Sequence, residues 1–260
     1  MFDIIKERGE LDMKALITGA SSGIGYSMAK YFDTLEIDLV LVGRNKEKLE
    51  KLQRELKVNS KIIIADLSDM TKVKELYVLT RSEEVDILIN NAGFGIFGEF
   101  SETDLNKELE MIDTNIKAVH LLTKLFLKDM KKRNSGYIMN VSSSAAFGPG
   151  PLMATYYATK AYVNNLTEAI SEELRRSNSN VSISSLCPGP VDTNFNNVAG
   201  VNFAIKPLNS NDVAKYAIDK MLQGKTVIVP GAMMKFVLFL RRFASRNLIR
   251  KMTYNIQKAK

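Results

Sequence analysis

Short aliphatic and β-branched runs alternate with longer amphipathic stretches along this chain. Met13–Thr18 predicts a strand and Gly23–Phe32 a helix. Asp38–Gly43 predicts a second strand, followed by a charged amphipathic helix over Lys46–Leu56. The alternation continues with a strand at Lys61–Ala65, a helix at Ser68–Thr80, a strand at Asp86–Asn90 and a long helix over Leu105–Lys132. Tyr137–Val141, Val181–Leu186 and Thr226–Val229 predict three more strands, with helices at Thr155–Arg176 and Asn211–Leu222 between them. The strands are short and apolar nearly throughout, as expected of a parallel sheet covered on both faces. Regular strand–helix alternation with right-handed crossovers gives a Rossmann-type, doubly wound α/β fold: a seven-stranded, mainly parallel sheet with helices on both faces. No linker, repeat or low-complexity tract interrupts it, so a single domain is expected over 1–260. Its body is 13–229, within which 194–210 follows the sixth strand, and 231–260 is a C-terminal extension.

Composition narrows the setting. A chain of 260 residues buries roughly 70–75% of its unfolded surface and needs no staples. Cys187 is the only cysteine, which excludes an internal disulfide and predicts a reducing, cytoplasmic environment. Met1–Asp12 is charged and lacks the apolar core of a signal peptide. No run reaches the ~18 apolar residues of a membrane span. His120 is the only histidine and lies within the long helix, where packing or an interface suits it better than catalysis; with one His and one Cys, no metal site is expected.

The net charge of +7 is unevenly placed. Residues 220–260 hold ten Lys or Arg and no Asp or Glu, while the rest carries 26 basic against 29 acidic residues. Basicity is therefore a property of one segment, and a nucleic-acid-binding protein is not indicated.

Gly19, Gly23 and Gly25, with Ser21, Ser22 and Ile24 among them, lie between the first strand and the first helix. A phosphate-binding turn belongs there, because glycines let a pyrophosphate approach the positive helix N-terminus. The spacing is G-x-x-x-G-x-G rather than the commoner G-x-G-x-x-G. The second strand ends in Val42-Gly43-Arg44, with no acid to hold an adenosine ribose. Arg44 suits a 2′-phosphate instead, so NADP(H) is expected over NAD(H). Asp66 and Leu67, just past the third strand, fall where the adenine edge would come, and Asn91, Ala92 and Gly93 close the fourth strand.

At the other end, Tyr156 and Lys160 stand one helical turn apart, and Ser143 lies thirteen residues before Tyr156. A Tyr and a Lys at this spacing are by themselves ordinary amphipathic surface. Reduction of a carbonyl, however, makes an alkoxide that needs a proton, and a phenol is a poor acid–base group at neutral pH unless its anion is stabilised. A neighbouring lysine can supply that charge, and a serine hydroxyl can hold the carbonyl oxygen.

With Thr18–Gly25, Asn90–Gly93, Asn115, Ser143, Tyr156-x-x-x-Lys160 and Pro188–Thr193 in this order, the chain resembles the classical short-chain dehydrogenases/reductases from about Met13 to Val229. The resemblance implies Tyr156 as general acid/base, and Lys160 as a ligand of the nicotinamide ribose that lowers the phenol's pKa. It implies that Ser143 orients the carbonyl and that Asn115 holds a water linking Lys160 to solvent. Pro188, Gly189, Val191 and Thr193 would shape the nicotinamide pocket, and Asn91–Gly93 would support the adenosine half. Homodimers or homotetramers are usual in that family. A non-catalytic dinucleotide-binding regulator on the same fold is the rival reading; the intact Ser143, Tyr156 and Lys160 argue against it.

The segment 194–209 contributes Phe195, Val198, Val201, Phe203 and Ile205, with Gly200 for freedom of movement; Phe94, Ile96 and Phe97 are expected in the same cavity. An apolar substrate follows: a 3-oxoacyl-like or sterol-like ketone, or an aliphatic ketone or aldehyde. No charged anchor for a small acid is apparent. Gly231–Lys251 reads as one amphipathic, basic helix. It suits packing on its own or a neighbouring subunit, contact with a membrane surface, or docking of an acidic carrier protein.

Overall fold

The computed structural model describes residues 13–193, 195 and 207–258. Its strands and helices run β1 (Lys14–Thr18), α1 (Gly23–Thr34), β2 (Asp38–Gly43), α2 (Lys46–Arg54), β3 (Ser60–Ile64), α3 (Met70–Thr80) and β4 (Ile87–Asn90). The second half runs α4 (Leu105–Ile112), α5 (Val119–Arg133), β5 (Tyr137–Val141), α6 (Ala154–Arg176), β6 (Ser182–Leu186), α7 (Ser210–Leu222), β7 (Val227–Ile228), α8 (Ala232–Arg241) and α9 (Arg246–Lys258). The seven strands form one sheet in the order β3-β2-β1-β4-β5-β6-β7, and every pairing is parallel.

Strand periodicity builds the two cores. Alternate residues of each strand point to opposite faces. Ile17, Leu41, Ile89 and Met139 therefore meet Phe32 of α1 and Ile218 of α7 on one side. Leu16, Val40, Leu88 and Ile138 meet Leu76 of α3 and Phe126 of α5 on the other. Phe32 is fully buried, and its truncation to alanine would cost about 3–5 kcal/mol. The strand order reverses between β1 and β4, and the crevice at their C-terminal ends is where such sheets bind ligands.

Two stretches depart from the sequence expectation. The long helix over 105–132 is interrupted: Asp113–Ala118 adopts π-helical turns between α4 and α5, a distortion that collects at functional sites. The basic extension is two helices, not one. α8 ends at Arg241, and Ser245 starts α9, its Oγ accepting from Leu248 N at 3.3 Å.

Candidate active site

The crevice is knitted together by the ends of β1 and β4. Thr18 Oγ1 donates to Ile89 O and accepts from Asn91 N at 3.0 Å and Ala92 N at 3.1 Å. Asn91 Nδ2 donates to Thr18 O and Gly19 O. Gly19 takes φ +66°, and a Cβ there would come within 2.9 Å of Ala92 Cα. Gly25 is close to Gly19 O, where a Cβ would meet the carbonyl at 2.5 Å. These two glycines let the turn fold onto β4 and present the start of α1. Ser22, the N-cap of α1, makes no side-chain capping bond, and the first turn holds no acid. The N-terminal amides thus face the crevice without an internal acceptor, which fits a pyrophosphate.

At the adenosine end, Arg44 Nη1 lies 3.2 Å from Glu110 Oε1 and 3.7 Å from Asp66 Oδ2. Burial raises the Asp66 carboxyl, but hydrogen bonds from Ser68 and the Arg44 charge outweigh it and hold it below the usual range. Glu110, from α4, was not visible in the sequence as part of this end; only the fold brings it to Arg44.

The catalytic candidates converge at the C-terminal edge of β5. Ser143 lies two residues past the end of β5 in extended backbone, where it caps the turn Ser144–Phe147, its Oγ accepting from Ala145 N at 3.1 Å. That bond does not use the hydroxyl proton, which the serine can donate toward the Tyr156 phenol, drawing the phenol's pKa down. Burial pushes the Tyr156 phenol up to about 12, with Ser143 pulling the other way. This opposes the lowered value expected from the sequence. The reason is the lysine's own placement. Lys160 is buried, its Nζ donates to Val141 O at 2.8 Å, and it lies 5.8 Å from the Tyr156 ring centroid. Burial drives its pKa down to about 8.

Asn115 sits in the π-helical segment, where the widened turn directs it to the loop after β4. Its Oδ1 accepts from Phe94 N at 3.1 Å, and its Nδ2 donates to Phe94 O at 2.9 Å and to Thr159 Oγ1 at 3.1 Å. It thereby joins α6 to the β4 loop beside Lys160: a Cβ on Gly93 would lie 2.8 Å from Asn115 Oδ1 and 3.4 Å from Lys160 Nζ.

One cavity of about 790 Å³ runs from the glycine turn past Tyr156 to the C-terminal helices. Each residue the sequence assigned to the cofactor lines it except Gly25, which instead makes room behind the turn. Phe94 and Phe195 line it as expected, and the Phe195 ring stands 5.4 Å from that of Tyr156. Ile96 and Phe97 do not; they pack behind it with Met111 and Met153. Val198, Gly200, Val201, Phe203 and Ile205 lie outside the described residues. The apolar part of the wall includes Met234, Val237 and Leu240 of α8 with Ile249, Met252 and Ile256 of α9.

These features match known proteins. A family model described as short chain dehydrogenase covers residues 13–201. The chain belongs to the short-chain dehydrogenases. Proteins of Staphylococcus epidermidis and Staphylococcus aureus, each named an uncharacterized oxidoreductase, are 31% and 32% identical over 218 and 222 residues; these alignments span 83% and 84% of this chain and 93% and 94% of theirs. A short-chain dehydrogenase from Sphingobium yanoikuyae in complex with NADPH superposes with a TM-score of 0.79 at 28% identity, covering 89% of this chain and 94% of its own. One from Burkholderia phymatum in complex with NAD gives 0.81 at 25% identity, covering 89% and 93%. The bulky-bulky ketone specific alcohol dehydrogenase of Comamonas testosteroni gives 0.76 at 28%, covering 89% and 92%. Membership of this family makes the chain an oxidoreductase. Among the described residues, no helix is long and apolar enough to cross a membrane.

Four features of the site escaped the sequence: Tyr157, Gln257, Arg241 and the double helix that carries the last two. Tyr157 stands three residues from Lys160, not the four of the Tyr156 spacing. It nevertheless lines the cavity, its phenol accepting from Gln257 Nε2 at 2.8 Å.

Proposed function

We propose that this short-chain dehydrogenase is an NADP(H)-dependent oxidoreductase that interconverts a carbonyl and a secondary alcohol on a hydrophobic substrate. The observation that carries the reading is the meeting of Ser143, Tyr156 and Lys160 partway along a single cavity, between a phosphate-binding turn and an apolar chamber. The nicotinamide supplies or accepts a hydride when bound. Ser143 donates its free proton to the substrate oxygen. Tyr156, kept protonated at neutral pH by burial, delivers a proton to that oxygen as reduction proceeds. Lys160, charged below about pH 8, supports the phenolate that remains. Asn115 holds Phe94 and Thr159 in place around them. The apolar walls exclude water and favour a ketone or aldehyde with a large hydrocarbon body.

NADP(H) over NAD(H) rests on Arg44, since a guanidinium at the end of β2 can grip a 2′-phosphate. The body 13–229 and its cover 231–260 act as one unit in this reading, working as a homodimer or homotetramer in the cytoplasm. Fluorescence titration with NADPH and NADH side by side tests the cofactor. Screening hydrophobic ketones with wild type and Tyr156→Phe tests the chemistry. NADPH binding without ketone turnover in wild type would favour the regulator instead.

A second reading concerns location. Met233, Phe236, Phe239 and Phe243 are exposed on and just after α8, Phe243 at 77%. They are interleaved with Lys235, Arg242 and Arg246. The cavity wall residues Val237, Leu240, Met252 and Ile256 are themselves exposed, so the chamber opens among these apolar groups. Apolar bulk with flanking cations suits an anionic bilayer surface, from which a lipid-soluble substrate would enter. Flotation with anionic liposomes, comparing wild type with a chain ended at Val229, tests this; equal behaviour removes it.

A further inference from the structure

In the wall of the apolar chamber stands an arginine with no ion-pair partner among the described residues. Arg241 closes α8 and lines the cavity. Its Nε and Nη2 are buried and have no hydrogen-bond partner among the described residues. Those two nitrogens form one edge of the guanidinium, the edge that meets both oxygens of a carboxylate in parallel. Gly148 makes room for it: any side chain at 148 would overlap Nη2.

Among the described residues, nothing in the wall neutralises this charge. The only acid among the described residues that lines the cavity is Asp66, at the adenosine end beside Arg44. Residues 220–260 hold no Asp or Glu. Asp219, the last acid before them, is bound to Tyr31 at 2.6 Å and Lys215 at 3.3 Å. A cation withdrawn from water without a partner is costly, and burial already depresses the Arg241 pKa. Gln257 beside it is 1% exposed, and its Oε1 also lacks a partner. The Tyr157 phenol it bonds can donate as well as accept, so the amide can turn to offer Nε2 to the cavity as a second donor.

We infer that Arg241, assisted by Gln257, anchors a carboxylate on the substrate, which makes the substrate class an apolar oxo- or hydroxy-acid rather than a simple ketone. The inference rests on the hydrophobic-carbonyl reading above and narrows it. Arg241 is a specificity determinant on the Tyr157 side of the chamber, packed against Gly148.

The test is calorimetric titration of the NADPH-saturated protein with three probes: decanoate, methyl decanoate and decan-1-ol. The expected result is decanoate binding about tenfold or more tighter than the ester or the alcohol. In Arg241→Met, decanoate affinity falls about tenfold while the two neutral probes stay within about twofold. NADPH affinity and Tm establish that the variant is folded. Equal binding of decanoate and its ester to wild type overturns the anchor and leaves the hydrophobic-substrate reading standing; this comparison needs no variant. Equal losses for all three probes in folded Arg241→Met also overturn it, since Arg241 is then only wall. Binding of none of the three overturns both readings.

Discussion

Gln257, at the end of the last helix, donates a 2.8 Å hydrogen bond to the Tyr157 phenol, one residue from the proposed acid–base group and one hundred positions away in sequence. The bond ties the C-terminal cover to the catalytic helix, and it is buried at the Gln257 end. Gln257→Leu removes the donor and leaves the phenol in apolar surroundings, a loss of about 1–2 kcal/mol. We expect KM for hydrophobic ketones to rise about tenfold, with the NADPH dissociation constant unchanged. Steady-state kinetics beside a fluorescence titration checks this. A variant with wild-type KM would mean that the cover is held by its apolar contacts alone.

Tyr156 and Ser143 separate by what each also supports. Tyr156→Phe keeps the ring and its packing against Phe195 and loses only the proton, so kcat falls by about 10²–10⁴ with an unchanged Tm. Ser143→Ala loses the carbonyl donor and also the acceptor for Ala145 N. It should lower kcat by about 10²–10³ and cost about 1 kcal/mol of stability. Loss of stability in the tyrosine variant, or none in the serine variant, would reverse these roles. Direction matters as well. With the phenol at about 12 and Lys160 at about 8, reduction should be flat from pH 6 to 7 and fall as the pH approaches 8 and Lys160 loses its charge. Alcohol oxidation needs the phenolate and should climb with pH over the same range.

Lys160 presents a conflict between stability and function. Its folded pKa of about 8 lies below the ordinary lysine value of about 10.4. The folded protein therefore releases this proton before the unfolded chain does. The penalty is full below pH 8 and is relieved between pH 8 and about 10.4, where only the unfolded state keeps the proton. Lys160→Met removes the buried charge but also the hydrogen bond to Val141 O. The net gain at pH 7 should be about 1–2 kcal/mol, a Tm higher by a few degrees, with turnover reduced by at least about a hundredfold. Thermal melts from pH 6 to 10 test it, and a variant that melts below wild type at pH 7 would contradict the buried-charge account.

The frame of this short-chain dehydrogenase was readable from its residues because its signals are local. Short continuous apolar runs such as Leu39–Val42 define strands, and Gly19, Gly23 and Gly25 define the turn. The thirteen-residue spacing selected Ser143, while Ser142 donates instead to Lys160 O. The π-turns at Asp113–Ala118 were hidden because the apolar pattern runs through them with no Gly or Pro. The break after Arg241 was hidden too: Phe243-Ala-Ser245 carries no strong breaker, and only the Ser245 cap marks the restart. Arg241, Gln257 and Glu110 owe their places to contacts across the fold, which no spacing along the chain encodes.

Arg44 offers the sharpest test of cofactor choice, because the groups that steady it also compete with a phosphate. Its side chain is exposed, and its two carboxylate contacts, Glu110 at 3.2 Å and Asp66 at 3.7 Å, contribute only about 0–1 kcal/mol each at such a surface. A 2′-phosphate bears more charge than either and can displace them from the guanidinium, but it must then sit beside two acids. Arg44→Ala should therefore weaken NADPH by about tenfold or more while NADH changes little. Glu110→Gln should act in the opposite direction, tightening NADPH by a few fold and leaving NADH unaltered, since it removes a negative neighbour while keeping the shape. Raising salt should weaken NADPH binding and narrow the gap between wild type and Glu110→Gln, because these charges are solvent-screened. If Arg44→Ala weakens both dinucleotides equally, Arg44 acts on their shared phosphates or adenine, and the preference for NADP(H) falls.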